Sequence, residues 1–250
     1  MERLQRDIPW YKKWFDENYL LLYRHRNIDD AKEQVKLINF TLCPGSNCSI
    51  LDIGCGEGRY SVFFREQGFR VVGVDISETL IRSGKKKYPH LDLVVGDMKN
   101  IPVIPGGFDI VLSLFTSFGY LEEDEENRNV LRSIHQALKP GGIFWLDFLN
   151  SHQVGKHLVP ENSSRISSSL QVIEKRKIEA KRVVKDIYFM DDRHEMKKHY
   201  KESVRLFSRL ELEEMMEKTG FRAAGCFGNY RGEEWTVDSE RTIIYGRKAN

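Results

Sequence analysis

No window of this 250-residue sequence holds the roughly 20 consecutive apolar residues that a bilayer-spanning helix needs, so no membrane span is expected. The first residues, MERLQRDIPWYKKWF, mix charge with aromatic rings and lack the apolar stretch of a secretory signal. Cysteine is scarce, with only Cys43, Cys48, Cys55 and Cys226 present. None of these pairs with a second cysteine couple or a histidine at zinc-ligand spacing, which argues against a disulfide framework and against a metal site. Reduced thiols in a cytoplasmic protein are the simpler expectation. An excess of one charge is also missing: 39 Lys/Arg face 37 Asp/Glu, and the formal net charge of +2 is too small to imply a polyanionic partner. With 40% hydrophobic and 30% charged residues the composition is that of an ordinary globular chain. Its length suits one sizeable domain, with or without a smaller insertion.

What the sequence does have is rhythm. The first 40 or so residues read as helical, with Trp10, Trp14, Tyr19, Leu22 and Tyr23 near helical spacing and Asp29-Asp30 as an N-cap for a second stripe through Ala31, Val35 and Ile38. A turn cluster, Cys43-Pro44-Gly45-Ser46-Asn47, closes it. Short β-rich runs then alternate with helix-length segments. Strands are expected over 49–53, 70–75, 91–97, 108–115 and 143–148. Helices are expected over 59–67, 77–87 and 122–138, the last ended by Lys139-Pro140-Gly141-Gly142. Such alternation implies parallel strands with helices on both faces. After Asn150 the rhythm fails. A polar, serine-rich stretch (163–169) precedes β-like alternation over 171–209, locally basic and read as an antiparallel insertion with a solvated surface. A helix over 208–219, closed by Gly220, and two last strands follow.

The chemistry concentrates in Leu51-Asp52-Ile53-Gly54-Cys55-Gly56-Glu57-Gly58-Arg59. A strand running through glycines into a helix lets backbone approach a ligand and aims N–H groups at it. The spacing is G-x-G-x-G, whereas the dinucleotide fingerprint places its third glycine one position later. Asp75 ends the second strand, where a carboxylate accepts hydrogen bonds from both hydroxyls of a ribose. Gly96-Asp97-Met98 ends the third and offers an acceptor beside a backbone N–H, which suits an adenine edge. Three acidic strand ends place an adenosine ligand at the carboxyl edge of the sheet.

The ordered motifs LDIGCGEGRY, VVGVDIS, VVGDM, FDIVLSLFTSFGYL and LKPGGIFWLDF resemble the class I (seven-stranded) S-adenosylmethionine (AdoMet)-dependent methyltransferases, most closely the bacterial small-molecule type. The resemblance implies an α/β fold: a Rossmann-like seven-stranded, mostly parallel sheet with helices on both faces, N-terminal helices and an antiparallel β insertion. It divides the chain into a helical lid (1–42), an AdoMet-binding core (43–150), a substrate-covering insertion (151–207) and a helix with β-hairpin completing the core (208–250). It also implies roles. Gly54, Cys55 and Gly56 would pass the methionine moiety, Asp52 would reach its ammonium group, Asp75 would hold the ribose, and Ile76 would pack on the adenine that Asp97 and Met98 read. The Leu114 carbonyl would fix the methionine end. Phe115, Thr116, Ser117 and, from the lid, Tyr23 would border the acceptor. In the sugar N-methyltransferase branch a histidine often follows the Ser-Phe-Gly element. Here that position is Tyr120, so a histidine base does not carry over. Tyr120 and His25 are the remaining catalytic candidates.

A sulfonium methyl is already electrophilic, so the protein's task is alignment in a closed pocket. An amine acceptor need only be neutral, and the lack of an evident base favours it. Neither the Asp/Asn-Pro-Pro-Tyr pattern of base-amino methylation nor a Pro-Cys nucleophile is present, which favours a small-molecule acceptor over tRNA. A non-catalytic AdoMet-binding protein and an NAD-dependent dehydrogenase are the other readings. Pairing of two copies through the insertion into a homodimer is a further expectation.

Overall fold

The computed structural model describes residues 8–24 and 28–249. Three helices come first: α1 (Trp10–Trp14), α2 (Glu17–Leu22) and α3 (Ile28–Leu42). The Asp16 carboxylate accepts from the backbone N–H groups of Asn18 and Tyr19 and so starts α2. Asp29 and Asp30 are not an N-cap: α3 begins at Ile28 and both carboxylates sit in its first turn, where the helix dipole favours them.

The alternating half forms β1 (Ser49–Ile53), α4 (Ser61–Glu66), β2 (Arg70–Asp75), α5 (Glu78–Lys87), β3 (Asp92–Val95), β4 (Phe108–Ser113), α6 (Asp124–Ala137) and β5 (Leu138–Leu149). The Pro-Gly-Gly segment after α6 is not a break. Leu138 already pairs with Phe108, and a register shift absorbs the following residues before Ile143 pairs with Ile110. After the short α7 (Ser151–His157) come β6 (Glu161–Ser167), β7 (Leu170–Glu179), β8 (Arg182–Asp191) and β9 (Met196–Arg205). The serine-rich stretch is mostly β6, an edge strand paired on one side by β7. Its mainly exposed residues have no core face to impose alternation. Last come α8 (Arg209–Lys218), with a capping box between Ser208 and Glu211, then β10 (Phe221–Phe227) and β11 (Arg241–Lys248).

Seven strands join in the order β3-β2-β1-β4-β5-β11-β10. The first five are mutually parallel, and β11 enters antiparallel between β5 and β10. Central strands of such a sheet are buried on both faces, and in β1 Ile50, Leu51 and Ile53 are at most 1% exposed. One face packs on α6 and α8 through Val130, Ile134 and Met216, and the other packs on α3 and α4 through Val35, Ile38 and Phe64.

The four strands β6-β7-β8-β9 form a second, antiparallel sheet. Its apolar face does not meet the large sheet alone, because α1 and α2 pack on it: Trp14 and Leu22 are buried against Val172, Ile187 and Phe189. The Trp14 indole N–H donates to Glu202 on β9 (2.6 Å), and Tyr200 Oη donates to Asp16 (2.5 Å). Burying the Trp14 ring contributes about 4–6 kcal/mol. Thus α1, α2 and the antiparallel sheet form one cover. A hydrogen bond from Ser77 Oγ to the Phe15 carbonyl (2.5 Å) ties that cover to the start of α5.

Candidate functional site

Beyond Ile53 the chain turns through Gly54, Gly56 and Gly58 with φ of +69°, +57° and +84°, backbone that any residue with a Cβ resists. Gly54 is also fixed by space: a Cβ there would lie 2.6 Å from Ser117 Cβ. The bend is tied to β2 where Gly54 N–H donates to the Val74 carbonyl (2.8 Å). Asp75, 8% exposed, accepts from Gly56 N–H at one oxygen (2.9 Å) and from Ser77 N–H at the other (2.8 Å). Burial raises its carboxyl above the usual range against the pull of these N–H groups. Asp52, 1% exposed, accepts from Ser61 Oγ at 2.6 Å, and burial pushes it up to about 6.

A cavity of about 580 Å³ opens over this edge, within the range of small-molecule sites. Asp52–Gly56, Asp75–Ile76, Asp97–Met98 and Leu114–Ser117 all line it, with Tyr120 and Tyr23. His25 lies outside the described residues, and among those described no histidine lines the cavity. The Cys55 thiol is buried in the cluster of Val62, Ile81 and Leu93, and desolvation holds it protonated well above its usual range. It is therefore not a nucleophile in this state. Asp97 accepts from Lys99 N–H (2.9 Å), and Met98 packs against the core.

The residues after β4 were expected at the site, but nothing in their types announced their backbone. Phe115 and Thr116 sit at φ of +53° and +65°, a left-handed pair costing about 1–3 kcal/mol per residue and most unusual for a β-branched side chain. Asp147, at the end of β5 and fully buried, holds them. Its carboxylate accepts from Phe115 N–H (2.9 Å), and its carbonyl accepts from Thr116 N–H (3.0 Å). Arg241, first residue of β11, donates through Nε to Asp147 (2.8 Å) and through Nη2 to Thr116 Oγ1 (2.9 Å), while Tyr230 Oη donates to Asp147 (3.0 Å). Burial, the largest single influence, pulls the Arg241 pKa down, but the Asp147 carboxylate together with Tyr230 and Tyr60 reverses it and the net shift is upward. Ser117 then donates to the carbonyls of Leu114 (2.9 Å) and Gly54 (3.3 Å), which joins this segment to the glycine bend.

The cover supplies the opposite wall. Tyr120 meets the rings of Trp10 (4.9 Å between centroids) and Phe15 (5.9 Å). Trp10 Nε1 is buried and has no hydrogen-bond partner among the described residues. The basic excess of the insertion is not all solvated. Lys185 and Arg176 line the cavity, and Lys185 bridges Glu202 (2.5 Å) and Tyr23 Oη (2.6 Å). Arg182 is buried and donates to the carbonyls of Leu121 (3.0 Å) and Ser203 (2.9 Å), fastening the cover to the loop after β4. The aromatic residues of α1 and α2 were legible as a helical stripe, yet nothing in their spacing marked them as cavity wall.

Comparison with known proteins agrees with this geometry. Residues 50–142 match the family model described as a methyltransferase domain. The chain carries a methyltransferase domain over these residues, AdoMet-dependent methyltransferases share its fold, and AdoMet is its cofactor. Among individual relatives, it is 25% identical over 238 residues to a cypemycin N-terminal methyltransferase of a Streptomyces species, covering 86% of this chain and 95% of that one. It is 30% identical over 126 residues to the dTDP-3-amino-3,4,6-trideoxy-alpha-D-glucopyranose N,N-dimethyltransferase of Streptomyces venezuelae, over 50% of this chain and about half (53%) of that one. In fold it matches an S-adenosylmethionine-dependent methyltransferase from Clostridium acetobutylicum with a TM-score of 0.78 at 18% identity, over 93% of this chain and 97% of that one. No helix among the described residues is long and apolar enough to cross a membrane.

Proposed function

We propose that this enzyme methylates a small-molecule acceptor at nitrogen, with the cofactor lying along the glycine bend and the acceptor between Phe115–Tyr120 and the cover. The observation that carries the reading is the cavity itself. Its cofactor side is backbone and carboxylate, its far side is aromatic with Arg176, Lys185 and Glu202 among the rings, and among the described residues no histidine faces it. The residues fit the group. The Gly54 and Gly56 turn leaves no room for a Cβ at Gly54, and the Asp75 oxygens keep lone pairs beyond those taken by Gly56 and Ser77. Asp75 would hold the ribose diol, Asp52 would face the methionine ammonium, and Asp97 with Met98 would border the adenine.

AdoMet, when bound, supplies an electrophilic sulfonium methyl, and the chain's own groups do the rest. Trp10, Phe15 and Tyr120 exclude water from the line of attack. A neutral amine then needs alignment rather than a strong base. The relative named as an N,N-dimethyltransferase supports nitrogen as the acceptor. The test is transfer of a labelled methyl from AdoMet to matched amines and alcohols. Label on the amines alone is the expected result, and transfer confined to alcohols would overturn the assignment. The insertion and the region 1–42 build the acceptor side in this reading, and a homodimer would be read from the sedimentation coefficient.

A further inference from the structure

The left-handed Phe115–Thr116 pair is the one place where this site is made of residues that resist their own backbone. Leu114 before it and Ser117 after it both line the cavity. A strained segment persists only where its surroundings over-determine it. Here those surroundings come from two distant strands, β5 and β11, and converge on the two residues through three contacts, Asp147 carboxylate to Phe115 N–H, Asp147 carbonyl to Thr116 N–H and Arg241 to Thr116 Oγ1, with Arg241 also bonded to Asp147. The Arg241 guanidinium also lies 5.8 Å from the Phe115 ring centroid, with Arg59 at 4.9 Å.

We propose that Asp147 and Arg241 are positioning residues for methyl transfer: together they hold Phe115–Thr116 left-handed and thereby set Leu114 and Ser117 against the glycine bend that receives the cofactor. The proposal rests on the reading of the cavity as the AdoMet site. The mechanical link is short. Ser117 Oγ donates to both the Leu114 and Gly54 carbonyls, and Ser117 Cβ lies 2.6 Å from where a Cβ on Gly54 would be. Relaxation of Thr116 into right-handed or extended backbone therefore moves Ser117 into or away from Gly54. A planar fork is needed at 241, because one side chain must reach a carboxylate and a hydroxyl together. Tyr230 seals the far side of Asp147, whose carboxylate is fully buried.

The experiment is calorimetric titration of S-adenosylhomocysteine into the intact protein and its variants, with thermal melting in parallel. Arg241→Gln should weaken binding about tenfold, the effect of leaving about a tenth of the molecules with a competent loop. Adding Thr116→Gly removes the resistance to φ > 0, and the double variant should recover to within about threefold of the parent. A merely structural ion pair would lower the melting temperature of single and double variants alike, and glycine would restore no affinity. Arg241→Gln binding like the parent, or a double variant no tighter than the single, overturns the proposal. Should Arg241→Gln fail to fold, Arg241→Lys keeps the charge while losing the fork, and the same glycine rescue is read on it. If the unaltered protein takes up neither S-adenosylhomocysteine nor AdoMet, the reading of the cavity fails instead, and the clasp with it.

Discussion

Replacing Asp75 by asparagine separates two jobs that one carboxylate performs. In the ligand-free fold its oxygens accept from Gly56 and Ser77 N–H groups at 2.9 and 2.8 Å. Asparagine keeps the shape but presents an NH₂ to one of those donors and leaves it unsatisfied, at a cost of about 1–3 kcal/mol. Removing a charge that burial disfavours returns part of that cost. The melting temperature should therefore fall by only about 2–6 °C, given roughly 2–4 °C per kcal/mol for a chain of this size. Binding suffers separately. Two ribose hydroxyls lose a charged acceptor and meet a neutral one, about half as strong, which amounts to about 2 kcal/mol, or about 30-fold in affinity. Calorimetry with S-adenosylhomocysteine measures the second quantity and thermal melting the first. An Asp75→Asn protein that binds within twofold of the parent would refute the ribose assignment, whatever its melting temperature.

Gly54→Ala adds a Cβ 2.6 Å from Ser117 at φ +69°, so AdoMet binding should be abolished. Gly45→Ala, with nothing within 4 Å, should be silent in the same titration. Asp52 carries a folded-state pKa of about 6 against an ordinary 3.8. The folded form thus binds the extra proton between these values, and the stability Asp52 adds at low pH is lost as pH rises through 6. Cofactor affinity should run the opposite way and weaken below pH 6 as the carboxylate is neutralised; Asp52→Asn should flatten that slope in titrations from pH 5 to 8, apart from the part owed to Asp75. Trp14→Ala empties the core of the cover and should cost about 3–5 kcal/mol, read as a drop in melting temperature. Thiol labelling of the native protein should modify exposed Cys43 first, since burial lifts Cys48 to about 11 and Cys226 to about 12. Faster labelling of Cys55 than of Cys43 would contradict the packing.

The parts of the fold that sequence exposes are those whose causes are local. β1 and the glycine turn were visible because an apolar run, three glycines and a helix start lie within a dozen residues. Asp75 was visible because it ends a strand. Left-handed backbone at Phe115 and Thr116 was not, since neither residue type favours it and its support arrives from Asp147 and Arg241, the latter 125 positions away. The union of α1 and α2 with the insertion was equally hidden, because the bond from Trp14 to Glu202 spans 188 positions. Pro140-Gly141-Gly142 misled for the converse reason. Its local character says turn, but pairing of Leu138 with Phe108 recruits it into β5. The basic count over the insertion was right as arithmetic and uninformative about direction, because the period of a strand turns Arg176 inward between exposed Lys175 and Lys177, and Lys185 lies inward on its acidic partners.

The placement of β11 has a consequence for how the molecule comes into being. It is the last strand along the chain, yet its berth is between β5 and β10, both synthesised earlier. A nascent polypeptide emerging in order must hold the flank of β5 open until residues 241–248 appear. With Arg241 at the head of that strand, the newborn enzyme acquires its grip on Thr116 in the final step of sheet closure. Competence would then wait for residues 241–248, and a chain stalled before them would be folded in large part and empty-handed.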